Sequence, residues 1–189
     1  EVNLSYSDNQ VTVTTDYLTL IYTLNSEGYA SQCVYSLSSQ NRIYQFSYSA
    51  EGYLTGIVEN IDDTEYSSTS LTYENGDITS ISSKMNGLEN KFIYEPGEES
   101  STYHLPCLGL LEIHPLTFHI EALYAGLLGK DPRHFTMHSC PAGSNDEKTV
   151  YSYGFDKKGN PSRMICQTTY AGGQASYYPY TRNISISFE

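Results

Sequence analysis

Every histidine of the chain falls in one stretch: His104, His114, His119, His134 and His138. Imidazole suits both metal ligation and proton transfer near neutral pH. His134 and His138 stand four residues apart, the spacing that sets two imidazoles on one helical face as metal ligands. A zinc-protease helix would need glutamate directly after the first histidine, and Phe135 stands there instead. Asp131 and Cys140 could add ligands, but Pro132 and Thr136 argue against a helix across this segment. His134 and His138 are thus the weak metal candidates, no metal is expected, and locally hydrogen-bonded loop histidines are the simpler reading. Paired carboxylates occur at Asp62-Asp63, Glu98-Glu99 and Asp146-Glu147, each beside turn residues. Glycoside hydrolysis needs two carboxyl groups about 5–9 Å apart across a cleft, which adjacent acids in an exposed turn do not provide. Asp62 and Asp63 with Glu65 lack the alternating acids of a calcium loop. There is no nucleophile elbow, phosphate-binding loop or dinucleotide fingerprint. No catalytic residue is assigned, and no cofactor is expected.

Aromatic chemistry is better represented, with 19 tyrosines and no tryptophan. Tyr22, Tyr44, Tyr48, Tyr73 and Tyr153 recur in register and are expected to ladder across strands on an inner face. Tyr29 and Tyr53, and Tyr177, Tyr178 and Tyr180 near the C-terminus, fall outside that phase. Tyrosines exposed on a rigid sheet stack on sugar rings or grip a protein partner, so these five are the binding candidates, with structural packing as the alternative. Cys33, Cys107, Cys140 and Cys166 show no C-x-x-C spacing. Buried thiols serving as small apolar groups, with Cys33 and Cys166 on one side of the sheet, are expected; a Cys107–Cys140 disulfide is the rival.

The elements that must position these groups come from a repeat. Leu20, Tyr22 and Leu24 precede Gly28; Tyr44, Phe46 and Tyr48 precede Gly52; Leu71 and Tyr73 precede Gly76; Tyr151, Tyr153 and Phe155 precede Gly159. The first two glycine intervals are both 24 residues, the mark of a hairpin stacked on copies of itself. Asn75-Gly76 is the strongest hairpin turn signal. After each glycine the apolar positions come at +2 and +5: Ala30 and Cys33, Leu54 and Ile57, Ile78 and Ile81, Pro161 and Met164. These have opposite parity, so a β-bulge in the same place in each repeat is expected to reset the phase and curl the sheet. Val2, Leu4 and Tyr6 against Val11 and Val13 add an N-terminal hairpin, and Ile184, Ile186 and Phe188 a closing strand. Residues 95–106 and 139–149 read as loops. Between them Pro115, the stripe Leu116, Ile120, Leu123, Leu127, and Gly129 predict one helix that packs into the concave face.

Composition agrees with a β-rich chain: charged residues are 17% and the polar remainder is Ser, Thr, Asn and Gln. With 22 acidic and 10 basic residues the net charge is −12, which repels phosphate backbones and argues against nucleic-acid binding. No apolar run approaches the roughly 20 residues of a membrane helix. The faces opposite the aromatic triplets carry Thr23, Asn25, Gln45, Ser47, Ser49, Ser152 and Asp156, where a barrel in lipid would need an apolar band. The chain opens on strand-like alternation, as a cleaved export signal would leave it.

Two resemblances rest on these motifs. Phe46 to Ile57 is similar to the tyrosine–aspartate (RHS-type) repeats of large secreted bacterial shell proteins, although Asp is replaced by Asn25, Ser49 or Glu74 and kept only as Asp156. The hairpins, the Leu123–Lys130 helix segment and the returning Tyr151–Gly159 strand more closely resemble an uncharacterised family of Bacteroidetes secreted lipoproteins. That resemblance implies a porin-like curled sheet and lipoprotein export, with no established activity and no catalytic residues.

The expected fold is therefore all-β: a curved antiparallel meander or partial barrel of about ten to twelve strands with one helix in its concavity. Residues 1–189 form a single domain with a helix-containing insertion at about 98–149. The expected function is an exported cell-envelope module, in the periplasm or on the outer-membrane surface of a Gram-negative bacterium and lipid-anchored through its precursor, binding a glycan or an envelope protein. A hydrolase with its site in the 98–149 insertion, or a purely structural envelope protein, are the alternatives. Oligomeric state is not readable.

Overall fold

The computed structural model of the chain describes residues 2–37, 40–100, 113–144, 147–158, 161–170 and 180–185. The first hairpin is β1 (Asn3–Ser7) with β2 (Gln10–Thr14). β3 (Thr19–Leu24) pairs with β4 (Ala30–Leu37), β5 (Gln40–Tyr48) with β6 (Leu54–Ile61), and β7 (Thr64–Glu74) with β8 (Asp77–Met85). β9 (Leu88–Ser100) precedes the segment that holds α1 (Ile120–Tyr124). β10 (His134–Pro141), β11 (Glu147–Phe155), β12 (Pro161–Tyr170) and β13 (Tyr180–Ser185) complete the sheet. The described strands form one thirteen-stranded sheet in chain order, each antiparallel to its neighbours, with β1 and β13 at its two ends.

The bulge read from the repeat occurs in all four copies. Register shifts fall at Thr23/Leu24, Ser47/Tyr48, Thr72/Tyr73 and Gly154/Phe155, leaving Ser31, Thr55, Thr79 and Ser162 as the extra residues. Each stands three residues after its repeat glycine and each carries a hydroxyl. Three of these hydroxyls donate to the carbonyl across the bulge: Ser31 to Thr23 at 3.0 Å, Thr79 to Thr72 at 3.3 Å and Ser162 to Gly154 at 3.3 Å. The side chain thus satisfies an acceptor that the bulge takes out of the ladder. With the phase reset, Ala30 and Cys33, Leu54 and Ile57, Ile78 and Ile81, and Met164 all reach the core.

Repeated bulges bend the sheet around its apolar face. Residues His114 to His119 show the result, touching β3, β5, β6, β7 and β8. Across a flat sheet the five intervals from β3 to β8 would span about 24 Å. A compact six-residue turn rises only about 12 Å. The sheet therefore wraps the segment. One apolar cluster joins Val11 and Val13 of β2 to Met164 and Cys166 of β12 through Leu116, Ala122, Leu123, Leu127 and Leu128.

Three details differ from the sequence reading. The helix is shorter: a 3₁₀ turn at Leu116–Phe118 leads into α1, and Gly126 rather than Gly129 ends it, at φ 71° just beyond the Ala125 cap. The stripe still turns inward, with Leu116, Leu123 and Leu127 buried and Ile120 packed against them. β9 continues through Glu95-Pro96-Gly97, which reads as a loop, and its partner β10 adds a thirteenth strand within the segment that reads as an insertion. Register shifts between His134 and Thr136 and between Thr136 and His138 explain why β10 shows no period-two pattern.

Candidate functional site

Among the described residues the histidines do not gather into one site, and His104 lies outside the described residues. Three of them instead dock the segment from 113 to 141 onto carboxylates of the sheet. His114 Nε2 lies 2.5 Å from Glu59 Oε2 on β6. His134 is held twice by Asp77 of β8, through its backbone N–H and through Nδ1, both at 2.8 Å. His138 Nδ1 lies 3.0 Å from Glu95 of β9. His134 and His138 stand on a strand, not a helix, and each has its own carboxylate. Among the described residues no three His, Cys, Asp or Glu side chains come together as a metal site.

Glu59 anchors a polar cluster on the concave face. Its carboxylate is fully buried and also accepts from Ser67 Oγ at 2.7 Å and from Arg42 at 3.2 Å. Burial pushes its pKa up, but the hydrogen bonds from His114 and Ser67 and the charges of His114 and Arg42 outweigh that and hold it below the usual carboxylate value. Ser67 donates to the Glu59 carboxylate and not to an imidazole, so a serine–histidine pair is not formed here. Beside this cluster His119 is buried among Tyr22, Tyr44 and Phe46, its Nδ1 hydrogen-bonded to the Tyr22 hydroxyl at 2.8 Å. Burial drives its pKa down to about 3, so the ring is neutral. Sequence reasoning missed Glu59. The available signal was its parity: it shares a face with Ile57, and an inward charge requires partners.

A second site lies at the turn end of the hairpins. The chain after α1 runs along the turns as a strap. Leu127 C=O accepts from Ala30 N–H at 2.7 Å, Lys130 N–H donates to Gly52 C=O at 2.9 Å, and Arg133 N–H donates to Gly76 C=O at 3.0 Å. Successive hairpins are two strands apart, about 9.6 Å, and three residues of open chain cover about 10 Å, so the strap meets one turn every third residue. Tyr29 packs on Tyr48 with ring centroids 5.4 Å apart, and Tyr53 on Tyr73 at 4.9 Å. Each tyrosine after a glycine therefore rests on the last aromatic of the next triplet.

Between the strap and the turns at Gly52 and Gly76 opens a groove of about 700 Å³. Tyr53, Tyr73 and Leu71 give it apolar surface; Ser49, Thr55 and Thr72 supply hydroxyls; Glu51, Lys130 and Arg133 supply charge. Of the five tyrosines singled out by sequence, the structure brings Tyr53 into this groove and sets half-buried Tyr29 one hairpin away. Tyr177 and Tyr178 lie outside the described residues, and Tyr180 opens β13 opposite Thr168. Lys130 and Arg133 were missed because no repeat marks them; only the strap brings them to the turns. Cys33 is a buried free thiol with its pKa pushed up to about 12 by burial, Cys166 is buried on the same face, and Cys140 is a half-buried free thiol. Cys107, the partner of Cys140 in the rival disulfide reading, lies outside the described residues.

Comparison with known proteins follows this architecture. The crystal structure of a porin-like protein from Bacteroides uniformis superposes with a TM-score of 0.89 at 27% identity, covering 100% of this chain and 76% of that one. A porin-like protein from Bacteroides vulgatus shares the fold, with a TM-score of 0.63 at 13% identity over 100% of this chain and 87% of that one. No curated protein matches. Among the described residues no helix is long and apolar enough to cross a membrane. The profile of one sequence family matches residues 1–163, and the chain belongs to that family, a domain of unknown function (DUF4595) with porin-like fold.

Proposed function

We propose that the chain is an exported, lipid-anchored cell-envelope module that binds a glycan without catalysing a reaction, at the periplasm or outer-membrane surface. The observation that carries this reading is the groove at the turn end, where Tyr53, singled out by its phase, lines an open cleft with Tyr73, hydroxyl groups and charged side chains. Aromatic faces beside hydrogen-bonding groups are what a pyranose ring requires. The acidic composition and the polar faces opposite the aromatic triplets support an aqueous envelope location. A glycan array read with wild type beside Tyr53→Ala and Tyr178→Ala tests it. Retained glycans lost in Tyr53→Ala are the expected result; an empty array, or binding indifferent to both changes, overturns it. A lipobox cysteine in the precursor ahead of Glu1 checks the export route. The rival hydrolase would draw on Glu59 and His114, and hydrolysis of a retained glycan that Glu59→Gln abolishes would favour it.

A further inference from the structure

We infer that the turn-end groove selects a carboxylated saccharide, a uronic-acid oligomer, through Lys130 and Arg133; this rests on the glycan reading of the same groove. The molecule carries 22 acidic residues against 10 basic ones, yet the groove is lined by two cations and one carboxylate. Its local charge is opposite to that of the whole. Among the described residues neither Lys130 nor Arg133 has a carboxylate within ion-pair distance. Exposed Glu51 attracts Lys130 from further off. Arg133 spends one guanidinium N–H on the Asn75 carbonyl at 3.3 Å, which leaves most of its five donors for a ligand.

The strap explains why these positions suit the task. Its backbone N–H groups at 130 and 133 are tied to the carbonyls of Gly52 and Gly76, so the two cations are rooted two strands apart, about 10 Å, on a rigid edge. The side-chain stems are seated as well. A Cβ placed on Gly52 would lie 3.5 Å from Lys130 Cε, and one on Gly76 would lie 2.6 Å from Arg133 Cδ. Both stems thus run over turns that glycine keeps flat. Two cations rooted about 10 Å apart, near the length of a disaccharide, and set beside an aromatic pair match carboxylates repeating along a pyranose chain. Guanidinium binds carboxylate in a bidentate manner, and an open groove holds successive sugar residues without enclosing them.

The test is calorimetric titration with trimers of galacturonate, glucuronate and mannuronate and with the neutral trimers of the corresponding hexoses, at low and moderate salt. At least one uronate trimer is expected to bind about tenfold more tightly than its neutral counterpart and to weaken as salt rises. Lys130→Gln and Arg133→Gln should each reduce the uronate affinity about tenfold, a clearly larger loss than either causes for the neutral trimers. Thermal melts of both variants that coincide with wild type show that the loss is not unfolding. Neutral trimers that bind as well as uronates, with Tyr53→Ala abolishing both, overturn the charge inference and leave the glycan reading standing. No uronate binding overturns the inference. No saccharide binding of any kind overturns both.

Discussion

His119 is the clearest case of a residue whose chemistry is set by its surroundings. Its ring is fully buried, and among the described residues Nε2 has no hydrogen-bond partner to stabilise a cation. The depressed folded-state pKa of about 3, against 6.5 for the free side chain, gives the sign of its effect. The unfolded chain takes up a proton as pH falls below about 6.5 and the folded chain does not, so stability present above 6.5 is lost on acidification by up to about 1.4 kcal/mol per pH unit. Urea midpoints should fall between pH 6.5 and 4.5, and His119→Gln should flatten that slope; an unchanged slope would mean that another group titrates there. Glu59 contributes over a lower window, because its lowered pKa gives stability that is lost as pH drops through the carboxylate range. Glu59→Gln should cost about 2 kcal/mol by urea unfolding at pH 7. That figure lies below the usual cost of breaking a buried pair because Arg42 and His114 are 19% and 25% exposed and regain water.

At the scale of elements, the strap and the bulges govern stability. Gly129 sits where the strap crosses the Gly52 turn: its φ is 90°, and an added Cβ would fall 2.7 Å from the Gly52 carbonyl oxygen and 3.0 Å from the Tyr48 ring. Gly28 has a similar φ of 86° but open space around it. Gly28→Ala should cost about 1 kcal/mol from conformation alone, and Gly129→Ala about 3 kcal/mol, because a backbone atom must also move. Denaturant melts of the two variants compare them, and equal losses would remove the strap from the account. The bulges were legible, since +2 and +5 apolar positions cannot share a face without an inserted residue. β10 was not. Pro96 and Gly97 read as turn residues, yet they belong to a paired strand: Pro96 pairs with Thr136 where the register shifts, and Gly97 leaves room for the Met137 side chain.

Over the whole molecule, one apolar cluster from β2 to β12 encloses the helix segment, whereas β1 is exposed along its entire length. Leu4 and Tyr6 sit opposite Val13 and Val11, so the inner face of the sheet is covered from β2 onward and open at its first strand. Amide hydrogen exchange should reflect this gradient: β5 to β8, which hold the Glu59 cluster and the wrapped turn, should exchange slowest, and β1 fastest. Protection of β1 equal to that of β6 would show that its edge is covered in solution. The inner-face assignment holds for Tyr22 and Tyr44, both buried, and for Tyr48, Tyr73 and Tyr153, partly buried against the core, while Phe155 at the end of its triplet is 41% exposed.

By itself the sequence determined the hairpin repeat, the inner face, the bulge that curls the sheet, and the apolar stripe that fills it. Those are local properties, set by side-chain parity and turn geometry within a few residues. Tertiary structure decided the rest. Glu59 meets His114 across 55 positions and Tyr22 meets His119 across 97, and Lys130 and Arg133 reach the hairpin turns because the strap rise per three residues matches two strand spacings. A single chain carries no local trace of such meetings, since they depend on where the sheet bends back and not on which residues stand next to one another.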